Sequence, residues 1–266
     1  MSSATREAGS AERNAPLWNA RPEDWAINEA QQIPTYEAAI DRVGLAPGQR
    51  VLEVGCGTGV FLRAAADRGA EVHGIDAAEA LLAMARERVP GADLREGDMQ
   101  FLPYADDVFD VVAGFNSFFF AANMVAALRE AGRVARPGAP VVIQVWGRPE
   151  RCALTQMKGA LAPFMPTPPP GAPAAPALWQ PGALEQIAAE AGLDPAAAFD
   201  RSWPYVYADE DELARALLSP GPVVTATRTH GEAKVRAALV EALAQYRTAD
   251  GGYRLENEWH FLIARA

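Results

Sequence analysis

Two hydrophobic periodicities alternate along the chain from residue 49 onward. Short apolar runs typical of buried strands are separated by longer stretches in which apolar residues recur at helical spacing. The pattern predicts strands at residues 50–54, 71–75, around 94, 109–115 and 141–146, and helices at 60–68, 78–89 and 122–136. Repeated strand–helix units of this kind form a parallel sheet with helices on both faces, so the fold class is α/β.

The carboxyl-terminal half interrupts this pattern and then resumes it. Seven of the fourteen residues at 163–176 are proline, which excludes a regular helix and predicts an extended loop. Beyond the loop the chain predicts helices at 182–191 and 232–247, strands at 199–207 and 259–264, and a helix that begins at the capping pair Asp209 and Glu212. The loop is therefore an insertion in one domain, not a linker between two.

The amino-terminal region divides at about residue 15. Residues 1–14 are small and polar, which predicts a flexible tail over residues 1–15 with order beginning near Pro16. Residues 16–48 contain enough apolar side chains, including Trp18, Trp25 and Tyr36, to form helices docked on the domain. We therefore expect one domain over residues 16–266.

Composition narrows the class of partner. The chain has 266 residues with 34 acidic and 24 basic side chains, a net charge of −10, and its only lysines are Lys158 and Lys234. This balance disfavours nucleic acid as a ligand. Two cysteines and three scattered histidines predict neither a disulfide framework nor a metal site, and the absence of a long apolar run predicts a cytoplasmic protein that does not enter the membrane.

The segment VLEVGCGTG at residues 51–59 carries the strongest chemical signal. A predicted strand runs directly into three glycines at alternate positions, Gly55, Gly57 and Gly59. Glycine permits positive φ and has no Cβ, so the backbone can turn sharply and its amides can approach a small molecule at a helix amino terminus. A dinucleotide fingerprint G-x-G-x-x-G would need glycine or alanine where this chain has Val60, so the spacing is G-x-G-x-G instead.

Two acidic residues follow at the ends of later predicted strands. Asp76 ends the second strand seventeen residues after Gly59, where its two oxygens can accept from both hydroxyls of a ribose. Asp98 lies in the segment GDMQFLPYADDVFDVV at residues 97–112. An alternative for Asp76 is a helix cap, and for Asp98 a turn residue.

These motifs resemble those of the class I S-adenosylmethionine-dependent methyltransferases of the methyltransferase-11 type. The glycine loop resembles motif I of that family, residues 97–112 resemble its GD-x-x-x-LP-F-x-D-x-x-FD-x-V region with Tyr104 in place of the commoner phenylalanine, and residues 128–138 resemble its LREA-x-RV-x-RPGG segment. The resemblance extends from about residue 18 to residue 146. It implies a Rossmann-like, seven-stranded, mostly parallel sheet with helices on both faces and a lid of added helices.

The resemblance also implies S-adenosylmethionine as the cofactor and assigns its contacts. Residues 16–48 become lid helices, 49–147 the cofactor-binding half and 148–266 the substrate-side half, which includes the Pro-rich loop at 163–176. Asp76 is assigned to the ribose, and Asp98 and Met99 to the adenine. The implied cofactor-binding residues are Glu53, Gly55, Cys56, Gly57, Gly59, Asp76, Ala77, Asp98, Met99, Phe115, Asn116 and Tyr36.

Catalytic residues are much less clearly indicated. Methyl transfer needs a nucleophile held in line with the methyl carbon, and a general base only if that nucleophile starts protonated with a high pKa. His230 and His260 are weak candidates for a base, and His73 is expected to be structural because it lies inside a predicted strand. An aromatic acceptor pocket is suggested by Trp146, Trp179, Trp203, Tyr205 and Tyr207, for which ordinary packing is an equal alternative.

The sequence therefore favours a methyltransferase that acts on a small-molecule acceptor, as a monomer or homodimer. Three alternatives stay open: the same fold and cofactor used for a decarboxylation or cyclisation, a protein that binds the cofactor without turnover, and a nicotinamide oxidoreductase. The identity of the acceptor, and whether oxygen, nitrogen or carbon is methylated, lies outside what these motifs encode.

Overall fold

The computed structural model describes residues 9–167 and 176–266 and contains one seven-stranded sheet. The strands are β1 (Arg50–Val54), β2 (Glu71–Asp76), β3 (Asp93–Glu96), β4 (Val111–Phe115), β5 (Pro140–Trp146), β6 (Asp194–Tyr207) and β7 (Tyr253–Arg265). Their order across the sheet is β3-β2-β1-β4-β5-β7-β6. The predicted α/β class with a seven-stranded sheet is confirmed.

Strand direction sets the position of the site. The first five strands pair in parallel, and β7 runs antiparallel between β5 and β6. The chain order reverses between β1 and β4, which are direct neighbours. In open α/β sheets, ligands bind at the carboxyl ends of the strands beside such a reversal point. The loops after β1, β2 and β4 therefore meet at one edge of the sheet.

The apolar runs in the central strands divide their side chains between two cores. In β1, Val51 packs in one cluster and Leu52 in the other, because successive side chains of a strand point to opposite faces. Both residues are fully buried. On this alternation Glu53 lies on the same face as Val51, so a carboxyl group is carried into the core by a strand that is otherwise apolar.

Eleven α-helices lie in the described residues. They are α1 (Ala11–Trp18), α2 (Pro22–Ala30), α3 (Ile33–Val43), α4 (Val60–Asp67), α5 (Glu79–Arg88), α6 (Met124–Val134), α7 (Thr155–Leu161), α8 (Ala183–Glu190), α9 (Glu210–Leu218), α10 (Gly221–His230) and α11 (Glu232–Ala242). Helices α3, α4 and α5 contribute to the core on one face, and α6 and α8 to the core on the other. Helices on both faces were predicted and are observed.

The remaining helices form a layer over the carboxyl ends of the strands. Helix α2 packs on α9, α1 on α10, and α11 on α7, α9 and α10. Asn28 of α2 fastens this layer, because its side-chain amide donates to the backbone oxygen of Ala216 in α9 at 2.7 Å and its Oδ1 accepts from the Tyr207 hydroxyl at 2.8 Å. Segments far apart in the sequence thus cover the same edge of the sheet.

Several boundaries differ from the predictions. The first helix begins at Ala11, inside the predicted tail of residues 1–15, because the Ala11 amide is bound by the Asp98 carboxylate at 2.6 Å. Strands β6 and β7 begin at Asp194 and Tyr253, earlier than predicted, because they pair along almost their whole length. Of the predicted Pro-rich loop at 163–176, residues 168–175 lie outside the described residues.

No helix in the described part of the chain is both long enough and apolar enough to span a bilayer.

Candidate cofactor and acceptor site

A cavity of about 360 Å³ lies at the carboxyl ends of the parallel strands. One part of its wall comes from the loops that follow β1, β2 and β4, and contains Gly55, Gly57, Asp76 and Asn116. The other part comes from the covering helices α1, α2, α7, α9 and α10. The loop wall is polar and the helix wall is mostly apolar, so the two parts suit different pieces of a bound complex.

The glycine loop after β1 has a shape that only glycine allows at two positions. Gly55 and Gly57 have φ values of +77° and +51°. A Cβ on Gly55 would lie 2.5 Å from Ser117 Cβ, and a Cβ on Gly57 would lie 2.8 Å from an oxygen of Glu29. Both positions combine a backbone conformation unfavourable to other residues with no room for a side chain. The loop therefore presents bare backbone to the cavity.

The amides of this loop are all bound within the protein. Those of Gly55 and Cys56 donate to the oxygen of Ile75, and that of Gly59 to the oxygen of Cys56. The remaining amides in the loop and its helix start bind carboxylates: Gly57 to Asp76, and Thr58 and Val60 to Glu29. The approach of these amides to a ligand stays a prediction.

Glu29 of α2 is a site residue that the sequence analysis missed. Its carboxylate accepts from the amides of Thr58 at 2.9 Å and Val60 at 3.3 Å, so it caps the amino terminus of α4 from another helix. Arg88 binds both oxygens of Thr58 from the other side. Burial raises the pKa of Glu29, and the amide hydrogen bonds and Arg88 act against that rise. No local motif marks this acid, because its partners lie about thirty residues away in the chain.

Asp76 ends β2 in the predicted position. Its carboxylate accepts from the Gly57 amide and the Ala78 amide, each at 2.9 Å. Burial raises its pKa, although those backbone hydrogen bonds lower it. A carboxylate has about four acceptor sites, so these amides leave capacity for a hydroxyl donor in the cavity. Asp76 thus both shapes the glycine loop and lines the cavity.

Glu53 lies beneath this wall, buried at the end of β1. Its Oε2 is enclosed and has no hydrogen-bond partner in the described part of the chain. Burial raises its pKa well above the usual range, and the nearby charges of Glu29 and Asp76 raise it further. The negative charges of Glu29 and Asp76 therefore disfavour ionisation of Glu53. A cation in the cavity would relieve that repulsion.

Asp98 connects the site to the first helix. Its Oδ2 accepts from the Ala11 amide at 2.6 Å and its Oδ1 from the Gln100 amide at 2.9 Å. The carboxylate therefore binds the first turn of α1, where the helix dipole favours negative charge. Asp98 and Met99 both line the cavity, next to Ser10 of the covering layer.

Three side-chain amides meet at the ends of β4 and β5. Gln32 Oε1 lies 3.2 Å from Asn116 Nδ2 and 3.3 Å from Gln144 Nε2. This arrangement leaves Asn116 Oδ1 and Gln144 Oε1 enclosed without partners in the described residues. Asn116 has a φ of +51°, an uncommon value for a residue other than glycine. Strain and unpaired polar atoms of this kind concentrate at functional sites.

The wall formed by the covering helices is rich in aromatic side chains. Trp18 packs edge-on against Trp25 at 4.8 Å and Phe120 at 5.3 Å between ring centroids. Farther along the wall, the ring centroids of Trp146 and Tyr205 lie 6.5 Å apart. Aliphatic residues fill the space between these groups, among them Leu154, Met157, Leu161, Leu217 and Val223. Lys158 is the only basic side chain on the described cavity wall.

Most, but not all, of the predicted cofactor residues come together. Those that line the cavity are Gly55, Gly57, Asp76, Ala77, Asp98, Met99, Phe115 and Asn116. Glu53, Cys56, Gly59 and Tyr36 are not part of the described wall. Gly59 starts α4 against Ala85, and the Tyr36 ring packs on Phe61 and Phe115. These four residues support the wall from behind.

Only some of the aromatic residues predicted for the acceptor pocket line the cavity. Trp146 and Tyr205 line the cavity, as do the lid tryptophans Trp18 and Trp25. Tyr207 is buried and bound to Asn28, while Trp203 is 44% exposed on β6. Trp179 is partly buried and outside the described wall. Alternation along β6 does not explain this division, because residues 203, 205 and 207 share one face of the strand.

Neither weak candidate for a catalytic base reaches the described cavity wall. His260 Nδ1 lies 2.8 Å from Asp200 Oδ1, on the strand pair β6–β7. His230 ends α10, with its ring 5.5 Å from that of Phe164. His73 is buried between Glu71 and Asp93, which agrees with the structural role expected for it. The structure thus gives no support to His230 or His260 as the base.

Comparison with known proteins finds methyltransferase relatives over part of the chain. Residues 52–143 match the family model described as a methyltransferase domain. The demethylmenaquinone methyltransferase of Renibacterium salmoninarum is 36% identical over 110 residues, which cover 41% of this chain and 46% of that protein. The ubiquinone biosynthesis O-methyltransferase of Hahella chejuensis is 33% identical over 148 residues, 54% of this chain and 61% of the relative. The chain matches about half the length of these curated relatives.

Solved structures share the fold over more of the chain. A phosphoethanolamine N-methyltransferase from Haemonchus contortus superimposes with a TM-score of 0.57 at 20% identity, covering 94% of this chain and 58% of that one. A [4+2]-cyclase superimposes with a TM-score of 0.56 at 23% identity, covering 88% and 80%. At these identities the likeness concerns the fold alone.

The sheet order, the glycine loop and the acid that ends β2 define a protein of the class I S-adenosylmethionine-dependent methyltransferase fold. Within that class, residues 52–143 match a methyltransferase-domain family model, in agreement with the motifs found in the sequence. S-adenosylmethionine is the cofactor of this family.

Proposed function

We propose that the protein transfers a methyl group from S-adenosylmethionine to a small, largely apolar acceptor. The observation that carries this proposal is the division of the cavity wall. Backbone and carboxylates form the wall beside β1 and β2, and aromatic and aliphatic side chains form the wall under the covering helices. A polar nucleoside and an apolar acceptor would each find a complementary surface there.

The residues present fit the cofactor. Gly55 and Gly57 line the cavity with bare backbone, because Ser117 and Glu29 leave no room for a Cβ at either position. The Asp76 carboxylate lines the cavity beside them, where it can accept hydrogen bonds from the ribose hydroxyls. We assign the adenine to Asp98 and Met99, and the amino-acid part to the glycine loop and to Phe115 and Asn116. Cys56, Gly59, Ala77 and Tyr36 would support these contacts from neighbouring positions.

The charge of the site also fits a cationic ligand. The carboxyl groups of Glu29, Glu53 and Asp76 all have raised pKa values, chiefly because they are buried. A positive charge nearby stabilises the ionised form of each group. Glu53 does not line the described cavity wall, so we assign it this electrostatic role and not a direct contact.

Methyl transfer mainly requires the protein to position the two reactants. When bound, S-adenosylmethionine supplies an activated methyl group with a good leaving group. The chain then has to hold the acceptor in line and exclude water, and well-oriented reactants gain roughly 7–11 kcal/mol. The covering helices and their aromatic side chains would perform both tasks, since they enclose the half of the cavity opposite the glycine loop.

Two measurements test the proposal. Calorimetry with S-adenosylhomocysteine should show saturable binding at one site per chain. Incubation with S-adenosylmethionine and a panel of phenols, amines and hydroxylated terpenoids should form S-adenosylhomocysteine and methylated product in equal amounts. Conversion of a compound without S-adenosylhomocysteine would favour a cyclase or decarboxylase instead, and a folded protein that binds neither nucleoside would refute the proposal.

A further inference from the structure

Two tyrosines on β6 differ in one respect that bears on the acceptor. Tyr205 and Tyr207 are both buried, with exposures of 2% and 1%, and lie on the same face of the strand. The Tyr207 hydroxyl donates to Asn28 Oδ1 at 2.8 Å. The Tyr205 hydroxyl forms no hydrogen bond within residues 9–167 and 176–266, although a buried tyrosine usually has a partner.

The Tyr205 hydroxyl is open to the cavity. Tyr205 lines the cavity, whereas its oxygen is not among the polar atoms that are both enclosed and unpartnered. Burial raises the pKa of Tyr205 well above its usual value, and Glu29 contributes to the rise, so the group stays protonated at neutral pH.

Two polar side chains on this part of the wall already have partners, whereas the enclosed Trp259 Nε1 behind it has none in the described residues. Asn28 binds Ala216 and Tyr207, and the Thr155 hydroxyl donates to backbone oxygens of its own turn. Trp146 and Trp259 stack at 5.7 Å between ring centroids and form an aromatic cluster with Tyr205, in which Trp146 and Tyr205 line the cavity. A planar molecule lying on Trp146 would therefore meet one available hydroxyl, that of Tyr205.

We infer that Tyr205 binds the acceptor, and that the acceptor is an aromatic or similarly planar molecule whose hydroxyl or amine group forms a hydrogen bond with the Tyr205 hydroxyl. This inference rests on the proposed function and specifies its substrate class. The protonated tyrosine does not act as a base. It orients the acceptor group, accepting its proton in a hydrogen bond or donating to its lone pair.

The test uses two probes that differ in the group that would meet Tyr205. These are 1-naphthol and 1-methylnaphthalene, titrated into the full chain with saturating S-adenosylhomocysteine and followed by tryptophan fluorescence. The wild-type protein should prefer 1-naphthol. In Tyr205→Phe the preference should fall by about fivefold or more, because one hydrogen bond to the probe is lost.

Tyr207→Phe is the matched control. It removes a hydroxyl from the same strand face but one that binds Asn28. It should leave the preference for 1-naphthol unchanged and lower the midpoint of thermal unfolding by about 2–4 °C. Tyr205→Phe should leave that midpoint and the affinity for S-adenosylhomocysteine unchanged, because its hydroxyl has no partner in the described chain.

The outcomes separate this inference from the proposed function. Binding of S-adenosylhomocysteine without binding of either naphthalene would overturn the inference alone. The same holds if Tyr205→Phe keeps the wild-type preference, or if it melts early like Tyr207→Phe. Failure of a folded wild-type protein to bind S-adenosylhomocysteine would instead refute the proposed function.

Discussion

The carboxylate of Glu29 accepts a hydrogen bond of 2.9 Å from the backbone amide of Thr58, and this contact joins the covering helices to the glycine loop. Glu29 also accepts from Val60 and lies within 2.8 Å of the position a Gly57 Cβ would take. The conformation of the loop therefore depends on a residue from α2. A substitution in the covering helices should therefore alter the conformation of the glycine loop in the cofactor-binding part of the site.

Replacing Glu29 with alanine should destabilise the protein by about 2 kcal/mol or more. The change leaves the amides of Thr58 and Val60 buried without partners, and each unsatisfied group costs about 1–3 kcal/mol. Urea denaturation measures the effect. Glu37→Ala, an exposed acid on the neighbouring helix α3, should change stability by less than about 0.5 kcal/mol. Equal effects for the two variants would show that Glu29 does not hold the loop.

Gly57→Ala should destabilise the protein more than Gly44→Ala. Both glycines have positive φ, +51° and +67°, but a Cβ on Gly44 would meet nothing within 4 Å. We expect roughly 1 kcal/mol for Gly44→Ala from backbone strain alone, and about 2–3 kcal/mol for Gly57→Ala from strain plus crowding against Glu29. Denaturation curves for the two variants provide the comparison. Equal losses of stability would show that crowding against Glu29 does not contribute.

Asp76→Ala should weaken the binding of S-adenosylhomocysteine at least tenfold. The ribose hydroxyls would lose hydrogen bonds to a charged group, and the Gly57 amide would lose its partner. Asp76→Asn, which keeps one acceptor oxygen, should fall between wild type and alanine. Asp93→Ala is the control, because that carboxylate binds Arg95 and His73 outside the described cavity wall. Calorimetry that gives wild-type affinity for Asp76→Ala would refute the ribose assignment.

The free energy of unfolding of the protein without cofactor should decrease as pH rises, because of the buried carboxyl group of Glu53. Its folded pKa is raised by burial, so between the unfolded and folded pKa values the folded state binds the extra proton. Stability from this group is therefore complete at low pH and decreases as pH rises above about 4.5, its ordinary value. Glu53→Gln removes the titrating group, so the free energy of unfolding of this variant should not show this decrease. The variant should match wild type near pH 4.5 and exceed it by about 1 kcal/mol or more at pH 8.

Urea denaturation of wild type and Glu53→Gln over this pH range tests the sign. A stability difference that stays constant with pH would show that Glu53 titrates normally. As a control, Glu53→Gln should keep the unfolding cooperativity of wild type, since glutamine fills nearly the same volume.

Local sequence patterns predicted the elements whose partners are also local. The β1 strand, the glycine loop and the acid at the end of β2 followed from apolar runs and glycine spacing, and the structure confirms their positions. The full lengths of β6 and β7 did not follow, because their ends are exposed on one face and are defined by pairing with each other.

The part of the site built from distant segments could not be predicted. Glu29 resembles any acid on a helix surface until α2 docks on the loop. Tyr205 and Tyr207 have the same residue type and the same strand face, and only Asn28 from another segment distinguishes them. The histidines failed as candidates for a related reason: chemistry chosen by residue type carries no information about which side chains the covering helices leave facing inward.

Six consecutive backbone amides, from Gly55 to Val60, have partners within the protein itself. The cradle is thus preorganised: it acquires its geometry during folding and owes none of it to an arriving nucleoside. Association then carries little entropic penalty for ordering this segment. The specificity for one nucleoside over another is then determined by the carboxylates at the rim of the cradle and by the shape of its bare backbone.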